Sequence, residues 1–254
     1  MSKHDDFYIG YLPEAPSGLA RWVRGRVIAV ILFALGVGLA FTATQAEPGP
    51  SRYEFGVVRP FEGVLRTTPV PHLELERPGE TGGVTGQSRY LITVFGKTGA
   101  DERVAPLAGR RVRVQGSLVH RAGSSMIELA DGEEIEDLGA GPAPDPEVSL
   151  GTVTLAGEIV DAKCHWGVMK PGDGKIHRGC AVACISGGVP VAFRIRGGDS
   201  PMKYVLLADE AGSPVSDAVL DLVAEPVTIT GQLMQLGDLH VLRADPATYR
   251  RDSK

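Results

Sequence analysis

VRVQGSL at residues 112–118 and VTITGQL at residues 227–233 are one pattern written twice. Both read V-x-[VI]-x-G-x-L, and the alternation of apolar and polar positions marks a strand with one buried face. The surroundings repeat as well. Phe61-Glu62-Gly63-Val64-Leu65 and Tyr90–Phe95 (YLITVF) read as strands before the first copy, and Met126-Ile127-Glu128-Leu129 follows it. Gly157-Glu158-Ile159-Val160 and Tyr204-Val205-Leu206-Leu207 stand in the same order before the second. Gly63 to Tyr90 is 27 residues, Tyr90 to Gly116 is 26, and Tyr204 to Gly231 is 27. The exception is Gly157 to Tyr204, at 47. The chain therefore reads as a duplicated, mainly β unit whose second copy carries an expanded first interval. Gly82-Gly83 and Lys97-Thr98-Gly99 are turn signals between strands.

Upstream, Val27 to Ala46 (VIAVILFALGVGLAFTATQA) is 20 residues without a charge. That length lets a helix cross ~30 Å of hydrocarbon. Arg21, Arg24 and Arg26 precede it and Trp22 suits an interface, so the expected orientation is N-terminus cytoplasmic and bulk exported. A cleaved signal peptide competes, with Thr44-Gln45-Ala46 as a cleavage site, but its leading region would be unusually long. The expected organisation is a cytoplasmic arm over 1–26, a transmembrane helix over 27–46, and a stiff linker over 47–54. A first domain over 55–138, a second linker over 139–151 (with GAGPAPDPE inside it) and a second domain over 152–250 complete it. In the arm, Phe7, Tyr8, Tyr11, Leu12 and Pro13 form either part of a disordered tail or a docking peptide.

Domains of this length, built of five or so short strands with V-x-[VI]-x-G-x-L near the end, look like OB-folds, small Greek-key barrels. With the single span, the chain resembles exported, membrane-anchored bacterial OB-fold proteins of the tRNA-anti-like group. In the second copy, D-x-x-C (Asp161–Cys164), H-x-x-C-A-x-x-C (His177–Cys184) and G-x-P (Gly188–Pro190) look like a variant of that fold. The resemblance covers residues 152–245 well and 55–137 more loosely. It implies two tandem OB-like barrels behind a membrane helix, and no chemistry. The layout is also similar to that of the anchored OB-fold haem chaperones. Tyr249 matches their C-terminal tyrosine, but the preceding haem-attaching histidine is missing and His240 lies too far upstream.

The expanded interval, DAKCHWGVMKPGDGKIHRGCAVACISGGVP from Asp161 to Pro190, contains all three cysteines, Cys164, Cys180 and Cys184. IHRGCAVACIS (Ile176–Ser186) reads as a short helix stopped by Gly187-Gly188 and Pro190. On it His177, Cys180 and Cys184 share one face, which Cys164 and His165 could meet from the end of the preceding strand. Three outcomes are open: a disulfide from Cys164 with one thiol left over, a metal site, or thiol redox exchange. The metal set is Cys164, His177, Cys180 and Cys184, with His165, Asp161 and Met169 as further ligands, and copper or zinc as the ion. Asp161 has the competing reading of a loop cap, and His165 that of a surface pair with Trp166. His72, His120 and His240 read as exposed histidines, Met126 and Met234 as core.

The formal charge is −5 overall and +1 over residues 1–26, leaving the exported part at −6. An acidic domain argues against nucleic acid, which is bound by neutralising phosphates. No nucleophile elbow, Walker loop, dinucleotide turn or H-E-x-x-H occurs, so enzymatic activity has little support. The expectation is a single-pass inner-membrane protein with its bulk in the periplasm. It would hold metal as an accessory or assembly subunit of a redox or envelope complex and dock on a membrane or periplasmic protein. The alternative is a structural interaction module stapled by a disulfide. Glycan binding is a third class, though neither copy shows an aromatic stripe for sugars.

Overall fold

The computed structural model describes residues 15–44, 51–76, 87–197 and 202–252. The arm aromatics, the first half of the first linker, the Gln45-Ala46 end of the cleavage site and the Gly82-Gly83 turn lie outside them. The chain divides into two compact units, Met1–Glu47 and Pro48–Lys254.

The first unit is helix α1, Ser17–Thr44, long and apolar enough to cross a membrane. It begins ten residues before the uncharged run, which moves the expected boundary at 26/27. Ala20, Arg21 and Trp22 are helix-compatible, and a helix once nucleated extends through such residues. Arg26 stacks over the Trp22 ring at 4.5 Å, one turn apart. Thr42 and Thr44 donate their hydroxyls to the carbonyls of Gly38 and Phe41, so neither leaves an unmet polar group on the helix.

The second unit holds two closed five-stranded barrels in sequence. The first comprises β1 (Ser51–Tyr53), β2 (Arg59–Arg66), β3 (His72–Glu76), β4 (Gln87–Val94), helix α2 (Asp101–Val104), β5 (Arg110–Arg121), β6 (Ser124–Leu129) and β7 (Glu136–Ala140). The second comprises β8 (Val148–Asp161), a π-type turn (Cys164–Val168), helix α3 (Arg178–Ser186), β9 (Val191–Ile195), β10 (Tyr204–Ala208), β11 (Pro226–Leu236), β12 (Leu239–Arg243) and β13 (Arg250–Arg251). The first barrel closes as β2-β3-β4-β6-β5 and back to β2, the second as β8-β9-β10-β12-β11 and back to β8. In each barrel the third and fifth strands pair in parallel and every other closing pair is antiparallel. This is the OB-like arrangement. Both expected linkers are shorter than their assigned ranges. β1 sits inside 47–54 and pairs with β5, while β7 and β8 occupy the ends of 139–151.

The glycines of the repeated pattern have a common cause. A Cβ on Gly63 would lie 2.3 Å from the Glu74 carbonyl oxygen, and one on Gly157 2.2 Å from that of Arg194. Likewise Gly116 faces the Glu128 carbonyl at 2.5 Å and Gly231 that of Arg243 at 2.4 Å. Each barrel thus needs a bare Cα where its first strand crosses the second and where its fourth crosses the fifth.

Each barrel has its own core, around Leu65, Ile92, Val114 and Ile127 in the first and Ile159, Phe193, Leu207 and Ile229 in the second. A third cluster lies between them and is built from the opposite faces of the same strands: Leu91, Val119 and Met126 against Val160, Ala192, Leu206 and Val241. The runs YLITVF and YVLL are apolar on both faces for this reason. Met126 is buried in this seam and Met234 packs at its border. His72 is a correction. It is fully buried on β3, its Nδ1 2.9 Å from the Val70 carbonyl oxygen. Burial pushes its pKa down to about 4.

Candidate metal centre

The insertion leaves the barrel at the end of β8. Asp161 is fully buried there, and its Oδ1 accepts from the Cys164 N–H at 2.7 Å. The loop-cap reading of Asp161 is therefore correct, and the cap fixes where Cys164 points. The chain passes through the π-type turn and returns as α3, which carries Cys180 and Cys184 one turn apart. Cys164 Sγ is 3.9 Å from Cys180 Sγ and 3.9 Å from Cys184 Sγ, and all three sulfurs lie within 4.8 Å of one another. No pair is bonded; all three are free.

The other expected ligands divide. His177 is buried but precedes the first turn of α3, and its Nε2 faces Asp161 Oδ2 at 3.2 Å. Asp161, Cys164 and His177 form a second group whose ligand atoms lie within 4.8 Å of one another. His177 therefore borders Cys164 and does not join the cluster of three sulfurs: it stands at the start of α3, about two turns before Cys184, and its ring turns to Asp161. His165 is also buried and turned away. Its ring lies beside Arg121 Nη1 at 3.2 Å, 3.7 Å from Asp173 Oδ2 and edge-on to Tyr204. Burial, aided by Arg121, pushes its pKa down to about 4. The Met169 side chain stands at the surface, 44% exposed.

Two lysines escaped the sequence reading. Lys97, in the turn after β4 of the first barrel, places its Nζ 2.8 Å from Cys180 Sγ and 4.0 Å from Cys184 Sγ. The thiol beside it raises the Lys97 pKa. Lys163 is 2% exposed. It reaches from the insertion into the first barrel, donating to the Val94 and Gly96 carbonyls at 2.7 and 2.9 Å and pairing with Glu128. Glu128 also accepts from the Tyr53 hydroxyl. The signal for Lys97 was only a K-T-G turn, and its partner lies 83 positions away.

Gly187 and Gly188 do more than stop α3. The Gly187 carbonyl accepts from the Gly99 N–H at 2.8 Å, and a Cβ on Gly187 would lie 2.0 Å from the Lys97 carbonyl oxygen. The end of α3 is thus seated on the turn that carries Lys97. The three sulfurs sit at the seam of the two barrels, buried except for part of Cys180. The Cys184 thiol is drawn down to about 7 by its hydrogen bond with Cys164 and by Lys97 beside it, against burial and the Asp161 carboxylate. The reciprocal effect, with burial, raises Cys164. One thiolate held by a neighbouring thiol and an ammonium is a state ready to take a soft cation.

No protein-family model, curated protein or solved structure matches this chain.

Proposed function

We propose that this chain is a membrane-anchored, exported accessory subunit that holds one thiophilic metal ion, copper(I) or zinc, on Cys164, Cys180 and Cys184. The observation that carries the reading is the spacing of the sulfurs. Metal–thiolate bonds of ~2.3 Å place sulfurs about 3.8 Å apart at the edge of a tetrahedron and about 4.0 Å apart in a trigonal plane. Cys164 stands at 3.9 Å from both of its neighbours, between these values. Three thiolates on a mono- or divalent ion leave negative charge, which the Lys97 ammonium offsets. His177 and Asp161, beside Cys164, are the nearest source of a further ligand or of an orienting hydrogen bond.

The anchor and orientation rest on α1 and on Arg21, Arg24 and Arg26 at its N-terminal side. They favour a single-pass inner-membrane protein with both barrels in the periplasm. A protein partner is supported by Phe55, Val58 and Phe95, which line one surface cleft and stand exposed, Phe95 two residues from Lys97. The strand order of the second barrel, with its insertion between first and second strands, supports the resemblance to the exported tRNA-anti-like proteins.

The competing reading is a structural module in which two cysteines oxidise to staple the insertion. Cys164 is equally close to both candidates and prefers neither. Replacing Cys180 and Cys184 with serine separates the readings. The double variant should lose metal while the first barrel stays folded; metal content equal to that of the unaltered chain would remove the site.

A further inference from the structure

We propose that the protein partner docks on the first barrel through an apolar side chain flanked by lysine or arginine, seated in the groove between Phe55 and Phe95. The proposal deepens the partner reading above and rests on it, but not on metal at the cysteines. Two clefts of about 380 and 470 Å³ meet at Phe95 and share Leu129, Asp131 and Glu133 in their lining. The turn between β1 and β2, the residue after β4 and the segment between β6 and β7 supply the walls. Phe95 lies two residues from Lys97, which touches Cys180, so a partner seated here stands next to the sulfurs.

The groove is apolar and its anchors are rigid. Phe55 is 72% exposed, Phe95 65% and Val58 53%. Phe55 stands in a turn closed by the Val57 N–H, which donates to the Glu54 carbonyl at 3.0 Å. Its ring packs edge-on against Tyr53 at 5.5 Å, and the Tyr53 hydroxyl is held by Glu128. On either side of Phe95, the carbonyls of Val94 and Gly96 accept from buried Lys163 at 2.7 and 2.9 Å. Exposed rings on a fixed backbone lose little further freedom on binding, and together they form an apolar surface that a partner can cover. The rim fixes the charge. No lysine lines either cleft. Arg103 does, but its guanidinium donates to the Ala130 carbonyl at 3.1 Å and to that of Glu133. This pins the segment after β6 by its backbone and leaves the Asp131 and Glu133 carboxylates exposed, in no ion pair among the described residues. Glu128, the third acid of the lining, is matched by Lys163. The unmatched charge is therefore negative, and complementarity calls for a cation beside the apolar group. The same charge repels the anionic headgroups of a membrane surface. A second copy of this chain, docked about a two-fold axis, would set the acidic rim against itself.

The test uses the full-length chain in detergent micelles, with the fluorescein-labelled peptide GKRLFRKG as the probe and GEDLFDEG as its charge-reversed counterpart. Fluorescence anisotropy should show saturable binding of the basic peptide, with the acidic one weaker by about tenfold or more. Phe95→Ser, at an exposed position, should weaken the basic peptide about tenfold and leave metal content unchanged. Asp131→Asn with Glu133→Gln should also weaken it about tenfold, whereas Glu210→Gln with Asp217→Asn, the same change of charge on the second barrel, should not. Benzoylphenylalanine in place of Phe95, irradiated with the chain in nanodiscs containing phosphatidylglycerol, should attach to the basic peptide. Absence of saturable binding would overturn the groove, and so would binding that neither groove variant weakens. Equal affinity for the two peptides would overturn the charge of the partner while leaving the partner itself. Attachment to phospholipid or to a second chain instead of the peptide would overturn the proposal and give the surface to the bilayer or to a dimer. Metal content measured on the same samples keeps a failure of the groove apart from a failure of the metal site.

Discussion

Lys97 shows how one side chain sets the chemistry of residues far from it in sequence. Its ammonium lies against Cys180 and within 4.0 Å of Cys184, and the charge favours thiolate there. Lys97 is exposed, and a charge pair at this distance screened by water is worth ~1 kcal/mol. Lys97→Met should therefore slow alkylation of the metal-free thiols near pH 7 by about fivefold. Rates measured against pH should show the Cys184 midpoint moved upward from about 7. An unchanged profile would mean that Cys164 alone sets it. His72 makes a second prediction at this scale. Its pKa is about 4 in the folded chain against an ordinary 6.5, with Glu74, Arg89 and Arg66 as its charged neighbours. Above pH 6.5 the ring is neutral in both states and costs nothing. Below it the unfolded chain takes the proton first, so stability falls until the pH reaches the folded value. The loss is about 3 kcal/mol at 1.36 kcal/mol per unit. Urea unfolding between pH 7 and 4 should show that slope, and His72→Asn should flatten it. Neither role could be read from the sequence. Lys97 looked like a turn and His72 like a loop histidine, because their surroundings come from distant parts of the chain.

Among the elements, the insertion is the one that joins the barrels. Lys163 passes from it into the first barrel, and its charge is met by Glu128 and two carbonyls, out of water. Removing one member of such a group leaves the others unmatched and costs ~3–5 kcal/mol. Lys163→Met should lower the free energy of unfolding by about that much in a denaturant titration. A loss below ~1 kcal/mol would show that water reaches Glu128. At the other end of the insertion, Gly187→Ala would drive a Cβ against the Lys97 carbonyl. Hydrogen exchange should then quicken at the Gly99 N–H, which donates to Gly187. The strands themselves were legible, because the V-x-[VI]-x-G-x-L pattern records a closure that both barrels share. The helical face of the Cys/His stretch was legible for Cys180 and Cys184. For His177, at the N-terminal end of α3, the face did not show that the ring turns to Asp161, because Asp161 comes from the end of β8.

Taken whole, the chain joins an apolar helix of 28 residues to a unit in which two barrels share one buried seam. The duplication and the position of the insertion could be read from intervals between glycines and tyrosines. The seam could not, since alternation along a strand says that a second face is apolar and not what covers it. The three sulfurs and the buried lysine lie where the insertion of the second barrel meets the first. The central claim is that the sulfurs hold a metal ion, and it is tested most directly on the full-length chain purified without chelator. Metal content by mass spectrometry would be measured together with the thiols that react before and after denaturation in strong chelator. The account predicts about one copper or zinc ion per chain, with all three thiols protected until the metal is removed. No stoichiometric metal, with a single thiol reacting after denaturation, would contradict it and leave a disulfide-stapled docking protein.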